Sequence, residues 1–425
     1  MRMWVFGLLA ASVMATPVRA QVAAQELPAQ VTLDDVLKLL DERSPRTVAG
    51  RASIAVAAAD RITAATLPNP TVSYGGVHLA TGLSTGAVTQ HQFLVEQPLL
   101  FLHQRQARLE VADANIDAEE ARVSDALASR RLSVRSAFAS LLSRQEQWRL
   151  LQQALDNMEH VQQLVRGKAA AGDRSKYDVA RVDVETEALR AETLSAAADV
   201  EDLAGQLAVL LGFPGWSPRA LGTLDVRENL PTNVEELWTT ASERRPSLIA
   251  LRRQQVAARG GVFLAQRDRL PVPAISGGIQ TTRDVTGTSA LFGVSVPMPL
   301  FDRNQGAIAK ATAQVTAADL ELQAAQAEVR AQIENSALVL AKRKEALHTF
   351  EGAVTDRVPV LRRMAEDAYR EGSADILELL DAHRSLRDLQ VEHVQQLEAV
   401  KLAEEALISA AGLDLAPTPR EDQRR

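Results

Sequence analysis

The sequence lacks cysteine, and only 4% of its 425 residues are aromatic. Without cysteine the chain has no disulfide framework, no thiolate metal site, no cysteine nucleophile and no acylated N-terminal cysteine. Its net charge of −7 comes without a long basic run, which disfavours nucleic-acid binding. The chain instead has 46% hydrophobic residues, with much alanine, leucine, glutamine and glutamate, a composition typical of long helices.

The N-terminus has the features of an export signal. Arg2 provides a positive charge, residues 4–15 form a short apolar stretch, and residues 18–20 place small side chains at the two positions that a signal peptidase reads. We therefore expect a signal peptide over residues 1–20. An N-terminal membrane anchor is the alternative, but the apolar run is shorter than the ~20 residues that a membrane span needs. No later segment has the length and apolar composition of a transmembrane helix.

The sequence resembles itself at an offset of about 200 residues, which indicates a tandem duplication. The similar segments, in order, are residues 34–37 and 235–238, 70–76 and 271–278, 95–99 and 296–300, 171–173 and 371–373, and 211–212 and 411–412. The chain is thereby divided into a first repeat over residues 21–213, a linker over 214–232, a second repeat over 233–415, and a disordered tail over 416–425.

Each repeat contains a long stretch without proline. None lies between Pro98 and Pro214, and apolar residues recur there at three- and four-residue spacing. This pattern predicts two long antiparallel helices over about residues 103–212, packed as in a coiled coil. A helix of ~65 residues is about 100 Å long. The second repeat has the same pattern over about residues 304–411, with a break expected near Pro359.

A window with almost no charge precedes each long helical segment. Residues 71–95 contain no Asp, Glu, Lys or Arg, and residues 272–301 contain only Arg283 and Asp284. Polar and apolar residues alternate in both windows, which indicates β-hairpins over about residues 70–98 and 272–298, with strands long enough for a membrane β-barrel. An edge hairpin on a soluble core is the alternative. The loss of charge in a chain with 24% charged residues argues against it.

Four strands per chain cannot close a membrane barrel. Unpaired backbone groups in hydrocarbon cost several kcal/mol each, and barrels need about eight strands or more. Two chains would give eight strands with a filled interior, whereas three would give twelve with room for a pore. We favour three. The predicted fold class is mainly α with a membrane β portion: a homotrimer with a long α-helical barrel and a shared 12-stranded β-barrel, and two structural repeats per chain.

Three motifs resemble those of the TolC-type outer-membrane efflux factors. They are the Tyr369-x-x-Gly372 segment with Leu380-Asp381-Ala382 after it, Leu67-Pro68-Asn69-Pro70 before the first hairpin, and residues 299–306, which are similar to the CzcC-like heavy-metal branch. The resemblance covers essentially the whole mature chain. It implies a homotrimer, a β-barrel in outer-membrane lipid, a helical barrel in the periplasm, and docking to a periplasmic adaptor and an inner-membrane pump of the resistance-nodulation-division type.

The resemblance also implies roles for residues at the predicted helix tips. Glu378 and Asp381 match acidic rings at the periplasmic entrance, and their i, i+3 spacing places them on one helix face. Tyr369 and Asp178 match a hydrogen bond that latches the closed tip. The chain departs from the family at the second latch, where Ala374 and Tyr177 replace the expected residues. Adaptor contacts are expected at Gly172, Asp173, Arg174, Gly372, Ser373 and Asp375.

These features predict a passive exit duct rather than an enzyme. The sequence has no phosphate loop, zinc-protease motif, nucleophile motif or histidine ligand cluster, so no catalytic residue, cofactor or bound metal is expected. The favoured cargo is divalent heavy-metal cations, and drugs or organic solvents are the alternative. A periplasmic adaptor or coiled-coil scaffold is less favoured, because an adaptor usually carries one helical hairpin between compact β domains.

Overall fold

A computed structural model describes residues 27–78, 80–82, 89–172, 175–283, 287–354 and 357–413. The predicted signal peptide and C-terminal tail lie outside these ranges. The helices are α1 (Leu33–Glu42), α2 (Pro45–Ala65), α3 (Gln104–Ala170), α4 (Lys176–Leu211), α5 (Val234–Arg244), α6 (Pro246–Asp268), α7 (Gln305–Val354), α8 (Val358–Glu371) and α9 (Ile376–Ala410). The strands are β1 (Gln30–Val31), β2 (Thr71–His78), β3 (Thr89–Pro98), β4 (Arg219–Ala220), β5 (Ala274–Arg283) and β6 (Gly287–Ser295).

The same order of elements occurs twice along the chain. Two shorter helices lead into a β-hairpin, which is followed by a long helix and a helix that returns. In the first half the long helix is α3, whose 67 residues span about 100 Å at 1.5 Å per residue. In the second half it is divided into α7 and α8. The break predicted near Pro359 is confirmed, because α7 ends at Val354 and α8 begins at Val358.

Equivalent glycines end the two returning helices. Gly212, after α4, and Gly412, after α9, have φ angles of 85° and 62°, in the left-handed region that favours glycine. A Cβ at Gly212 would lie 2.9 Å from the Pro45 ring, and one at Gly412 would lie 2.9 Å from the Arg245 Cα. Both glycines therefore let the end of a long helix pack closely against the start of a shorter one.

The core consists of three apolar clusters distributed along the helices. One joins α1, α3 and α4, a second joins α5, α7 and α9, and the third lies near the turns that connect α3 to α4 and α8 to α9. The three- and four-residue apolar spacing predicted for α3 is confirmed as a packing pattern, since several apolar residues of this helix at that spacing are buried. They are Val134, Phe138, Leu141, Leu150 and Leu151.

Helix α3 is the centre of the arrangement. Near the helix turns it packs between α4 and α9, and α9 packs in turn against α7 and α8. Near the sheet it packs between α2 and α6, and α6 packs against α7. The first-half helices α2 and α4 therefore lie on one side of the chain, and α7 and α8 lie on the other.

The linker between the halves is packed against the start of the first half. Its strand β4 pairs in parallel with β1, with Arg219 opposite Gln30. The indole nitrogen of Trp216 also donates a hydrogen bond of 3.0 Å to the carbonyl oxygen of Pro28. The sequence did not indicate this sheet, because a strand of two residues carries no readable alternation.

Candidate functional site: the helix tips and the four-stranded sheet

Local hydrogen bonds shape the two helix tips. At the start of α4, the Ser175 hydroxyl accepts from the Asp178 backbone N–H and the Asp178 carboxylate accepts from the Ser175 N–H, both at 3.2 Å. At the start of α9, the Asp375 carboxylate accepts from the Glu378 N–H at 2.8 Å. These capping interactions satisfy N–H groups that a helix leaves without internal partners.

Tertiary packing brings the tips of the two halves together. Tyr369 of α8 is fully buried in the cluster that joins both tips. The Lys168 ammonium, at the end of α3, lies 5.3 Å from the centre of the Tyr369 ring and donates 3.0 Å to the Arg370 carbonyl oxygen. The two turns, which lie about 200 residues apart in the sequence, therefore form one structural end of the molecule.

The two candidate entrance carboxylates lie on the exposed side of α9. Ile376, Leu379 and Leu380 point into the tip cluster, whereas Glu378 and Asp381 are exposed. Within the described residues, neither carboxylate forms an ion pair. Their placement leaves both negative charges available to solvent and to ions.

The residues of the predicted latch are both engaged within the chain. Asp178 caps α4, and Tyr369 packs in the tip cluster. Tyr177 is 63% exposed and Ala374 is half-buried. Gly172 and Gly372 have φ angles of 86° and 80°, which end α3 and α8 in turns that favour glycine. Among the predicted adaptor-contact residues Ser373 and Asp375 are exposed, while Asp173 and Arg174 lie outside the described residues.

Sequence reasoning missed a buried histidine beside the tip. The His383 side chain of α9 is only 9% exposed, and its Nε2 lies 3.7 Å from the Glu366 Oε1 of α8. Burial lowers the pKa of His383; the Glu366 charge opposes this effect, and the Arg362 charge adds to it. The lowered pKa favours the neutral form of His383. His383 directly follows the Leu380-Asp381-Ala382 motif, but its burial depends on packing against α8, which the sequence does not show.

The sheet has the strand order β2-β3-β5-β6 and is antiparallel throughout. Its register places most of the large apolar side chains on one face, where they are exposed to solvent in the single chain. These residues are Val72, Tyr74, Phe93, Val95, Ile275, Ile279, Phe292 and Val294. Phe292 alone is 88% exposed. An apolar sheet face of this extent requires a cover that the described chain does not supply.

The opposite face of the sheet is polar. The Gln280 amide donates 3.1 Å to the side-chain oxygen of Gln90, and the Ser295 hydroxyl donates 3.3 Å to the Glu96 carboxylate. Serine, threonine, glycine and glutamine occupy most of the other positions on this face. One apolar and one polar face is the arrangement of a membrane β-barrel wall.

Both outer strands of the sheet are unpaired within the described chain, since β2 bonds only to β3 and β6 only to β5. Strand β2 follows α2, and strand β6 precedes α7. The two unpaired strands are therefore connected to helices that lie on opposite sides of the chain. Among the described residues, no helix is long and apolar enough to cross a membrane, and no cluster of His, Asp and Glu could hold a metal ion.

Comparison with known families agrees with this geometry. The Outer membrane efflux protein family model matches residues 36–213 and again residues 237–413. The chain belongs to the outer membrane efflux protein family. The two matches have the same order of elements, and together they cover most of the described structure. The resemblance to TolC-type factors drawn from the sequence is thereby confirmed.

Two curated relatives have low identity over most of their length. The cobalt-zinc-cadmium resistance protein CzcC of Cupriavidus metallidurans is 26% identical over 294 residues, covering 68% of this chain and 69% of that protein. Nodulation protein T of Rhizobium leguminosarum bv. trifolii is 24% identical over 295 residues, covering 65% of this chain and 62% of the relative.

The fold is also found in solved structures. The outer-membrane channel OprN superposes with a TM-score of 0.74 at 21% sequence identity, and the match covers 89% of each chain. Proteins of the efflux family are outer-membrane channels, with a periplasmic helical barrel, that form trimers and work with an adaptor and a pump. Membership in this family supports a transport function rather than catalysis.

Proposed function

We propose that this protein is the outer-membrane exit duct of a tripartite efflux pump, and that it acts as a homotrimer. The observation that carries this proposal is the sheet with one apolar face, one polar face and two unpaired edges. Such a sheet is stable in lipid only when its edges are closed by other strands. Three chains would supply 12 strands, with the polar faces around a lumen and the apolar faces toward lipid.

The helical part supports the same closure. Exposed apolar side chains occur on both sides of the chain, for example Val184 and Leu194 of α4 and Leu320 and Leu338 of α7. In a trimer, the α2 and α4 side of one chain would pack against the α7 and α8 side of the next. The long helices then form a periplasmic tube that continues the barrel. Residues 1–20 direct export and are removed.

We further propose that the tips carry the contacts and the gate of the duct. A periplasmic adaptor docks at the two turns, through Gly172, Asp173, Arg174, Gly372, Ser373 and Asp375, and an inner-membrane pump of the resistance-nodulation-division type supplies the energy. A hydrogen bond between Tyr369 and Asp178 contributes to the closed state. The support for this arrangement is that the two turns form one end of the molecule, where polar groups are exposed.

The proposed cargo is divalent heavy-metal cations. A cobalt-zinc-cadmium resistance protein is similar over two thirds of the chain, and the exposed carboxylates Glu378 and Asp381 suit cations at the entrance. A cargo of organic molecules is the second candidate, because a relative of almost the same identity is a nodulation protein and its name refers to no metal.

Resistance profiling of a deletion strain tests the cargo. We expect growth inhibition by cobalt, zinc, cadmium or nickel salts at concentrations about tenfold lower than for the parent, with no change toward a panel of drugs and solvents. A plasmid copy of the gene should restore resistance. Sensitivity to drugs alone would contradict the proposal of metal cargo and favour the second candidate.

The double variant Glu378→Gln, Asp381→Asn tests the entrance. In planar bilayers, we expect divalent and trivalent cations to block its current about tenfold less effectively than the wild-type current, since about six carboxylates are neutralised in the trimer. The variant Asp388→Asn, on the same helix, is the control because its carboxylate is already paired with Arg387. Equal block of all three channels would remove Glu378 and Asp381 from the entrance.

A further inference from the structure

One charged side chain lies on the polar face of the sheet. Glu96 is the only ionisable residue among the described strand positions that share this face. All the other positions on the face carry uncharged side chains or glycine. Glu96 is half-buried by its neighbours, so it is held in place on the surface of the sheet.

The immediate neighbours of Glu96 do not neutralise its charge. Thr71 and Ser276 lie directly opposite it on β2 and β5, and Gly293 is next in the same row. The Ser295 hydroxyl donates 3.3 Å to its Oε1 across the small side chains of β5. A hydroxyl donor leaves the full negative charge in place, whereas a basic partner would cancel it.

The basic side chain that shares a groove with Glu96 has another partner. Arg108 of α3 lines the same groove between the sheet and the helices as Glu96, but its guanidinium pairs with Asp268 of α6 at 3.6 Å. Within the described residues, Glu96 has no ion pair. The carboxylate is therefore a net negative charge on a face otherwise made of neutral groups.

Glu96 lies at the end of the sheet nearest the helices. It is two residues before the end of β3 at Pro98, and α3 begins at Gln104. The candidate entrance residues Glu378 and Asp381 are at the opposite end of α3, about 100 Å away at 1.5 Å per residue. The two sets of carboxylates are thus separated by many Debye lengths, and they act on ions independently.

We infer that Glu96 determines the charge selectivity of the barrel lumen. This inference rests on the proposed trimeric duct, in which the three copies of Glu96 lie at one level where the helical tube meets the barrel. A ring of carboxylates in a narrow polar passage raises the local concentration of cations and repels anions. The ring favours small hydrated cations, including divalent metal ions, at the last stage of their exit.

The variant Glu96→Gln tests this inference in planar bilayers with a potassium chloride gradient. Glutamine keeps the size of the side chain and an oxygen for the Ser295 hydroxyl, so we expect a trimer that conducts. The potassium-to-chloride permeability ratio, obtained from the reversal potential, should fall at least about twofold. Glu228→Gln, which removes an exposed carboxylate in the linker, is the matched control and should keep the wild-type ratio.

Returning the charge to the same face distinguishes electrostatics from packing. Gln92 is on β3 and on the polar face, four residues from Glu96, so Gln92→Glu in the Glu96→Gln variant should recover cation preference. A conducting trimer whose permeability ratio is unchanged by Glu96→Gln would overturn the inference about Glu96 and leave the proposed duct intact. So would a loss that Gln92→Glu does not reverse. Absence of channels from the wild-type protein would overturn the proposed duct together with it.

Discussion

A chain with cysteines at Ser73 of β2 and Leu291 of β6 is expected to form covalent trimers on oxidation. Both positions are on the polar face of the sheet, on the two unpaired edge strands. The natural chain has no cysteine, so every disulfide must involve the introduced residues. If β6 of one chain pairs with β2 of the next, cysteines on these strands come within bonding distance.

The sheet itself excludes an intramolecular product. Three strand intervals separate β2 from β6, about 14 Å at the usual spacing, whereas a disulfide needs Cα atoms within about 7 Å. The register between chains sets which positions face each other. Two further variants therefore carry the β6 cysteine at Ser289 or at Gly293 instead of at Leu291. At least one pair should convert about half of the protein or more into a trimer that reducing agent dissolves.

A matched pair within one chain provides the control. Gln92 and Gln280 face each other on β3 and β5, so cysteines there should react without any increase in molecular mass. Non-reducing gels of membranes from cells that express each variant give the measurement. Monomers in every edge variant would refute edge closure, and covalent dimers without trimers would favour the eight-stranded barrel of two chains.

Replacing Glu404 with alanine is expected to destabilise the protein by about 3 kcal/mol or more, which is typical when one member of a buried charge network is removed. Glu404 of α9 is completely buried. Its carboxylate accepts 2.8 Å from the Arg227 backbone N–H of the linker and lies 3.5 and 3.4 Å from the ammonium groups of Lys344 and Lys401.

The expected loss of stability comes from the charged and polar groups that would be left without the Glu404 carboxylate. Without the carboxylate, Lys344 and Lys401 would be two partly buried cations without their anion, and the Arg227 N–H would lose its acceptor. The neighbouring Glu405 is also buried, 3.6 Å from both Arg135 and Arg227. The network therefore fastens the linker to α3, α7 and α9, and its loss affects both halves.

Thermal denaturation of the purified protein in detergent, followed by circular dichroism at 222 nm, measures the effect. The variant Asp388→Ala is the control, because Asp388 is 61% exposed and its surface ion pair contributes less than about 1 kcal/mol. Glu404→Ala should lower the midpoint by several degrees more than Asp388→Ala. Equal midpoints would show that the linker network does not stabilise the fold.

Much of the fold could be predicted because its signals are local. Proline and glycine positions indicated where the long helices end, and Pro359 indicated the break between α7 and α8. Two-residue alternation and missing charge indicated the strands, since side chains of a strand alternate between its faces. The capping residues Ser175 and Asp375 are likewise recognisable from the few residues around them.

The candidate sites were predictable only in part. Spacing placed Glu378 and Asp381 on one face of α9, but only the packing of Ile376 and Leu379 shows that this face is exposed. The burial of His383 depends on α8, which the break at Val354 allows to pack separately against α9. Glu96 could not be singled out from the sequence, because its isolation depends on the register of three other strands.

By itself the sequence determined the helices, the hairpins, the repeated order of elements and the family resemblance, because backbone preference and side-chain periodicity act within a few residues. Tertiary structure alone decided which distant segments meet: the pairing of β1 with β4, the joined helix tips, the buried Glu404 network, and the strand order that leaves β2 and β6 unpaired. These contacts join residues that are far apart in the chain, so they exist only once the whole chain has packed.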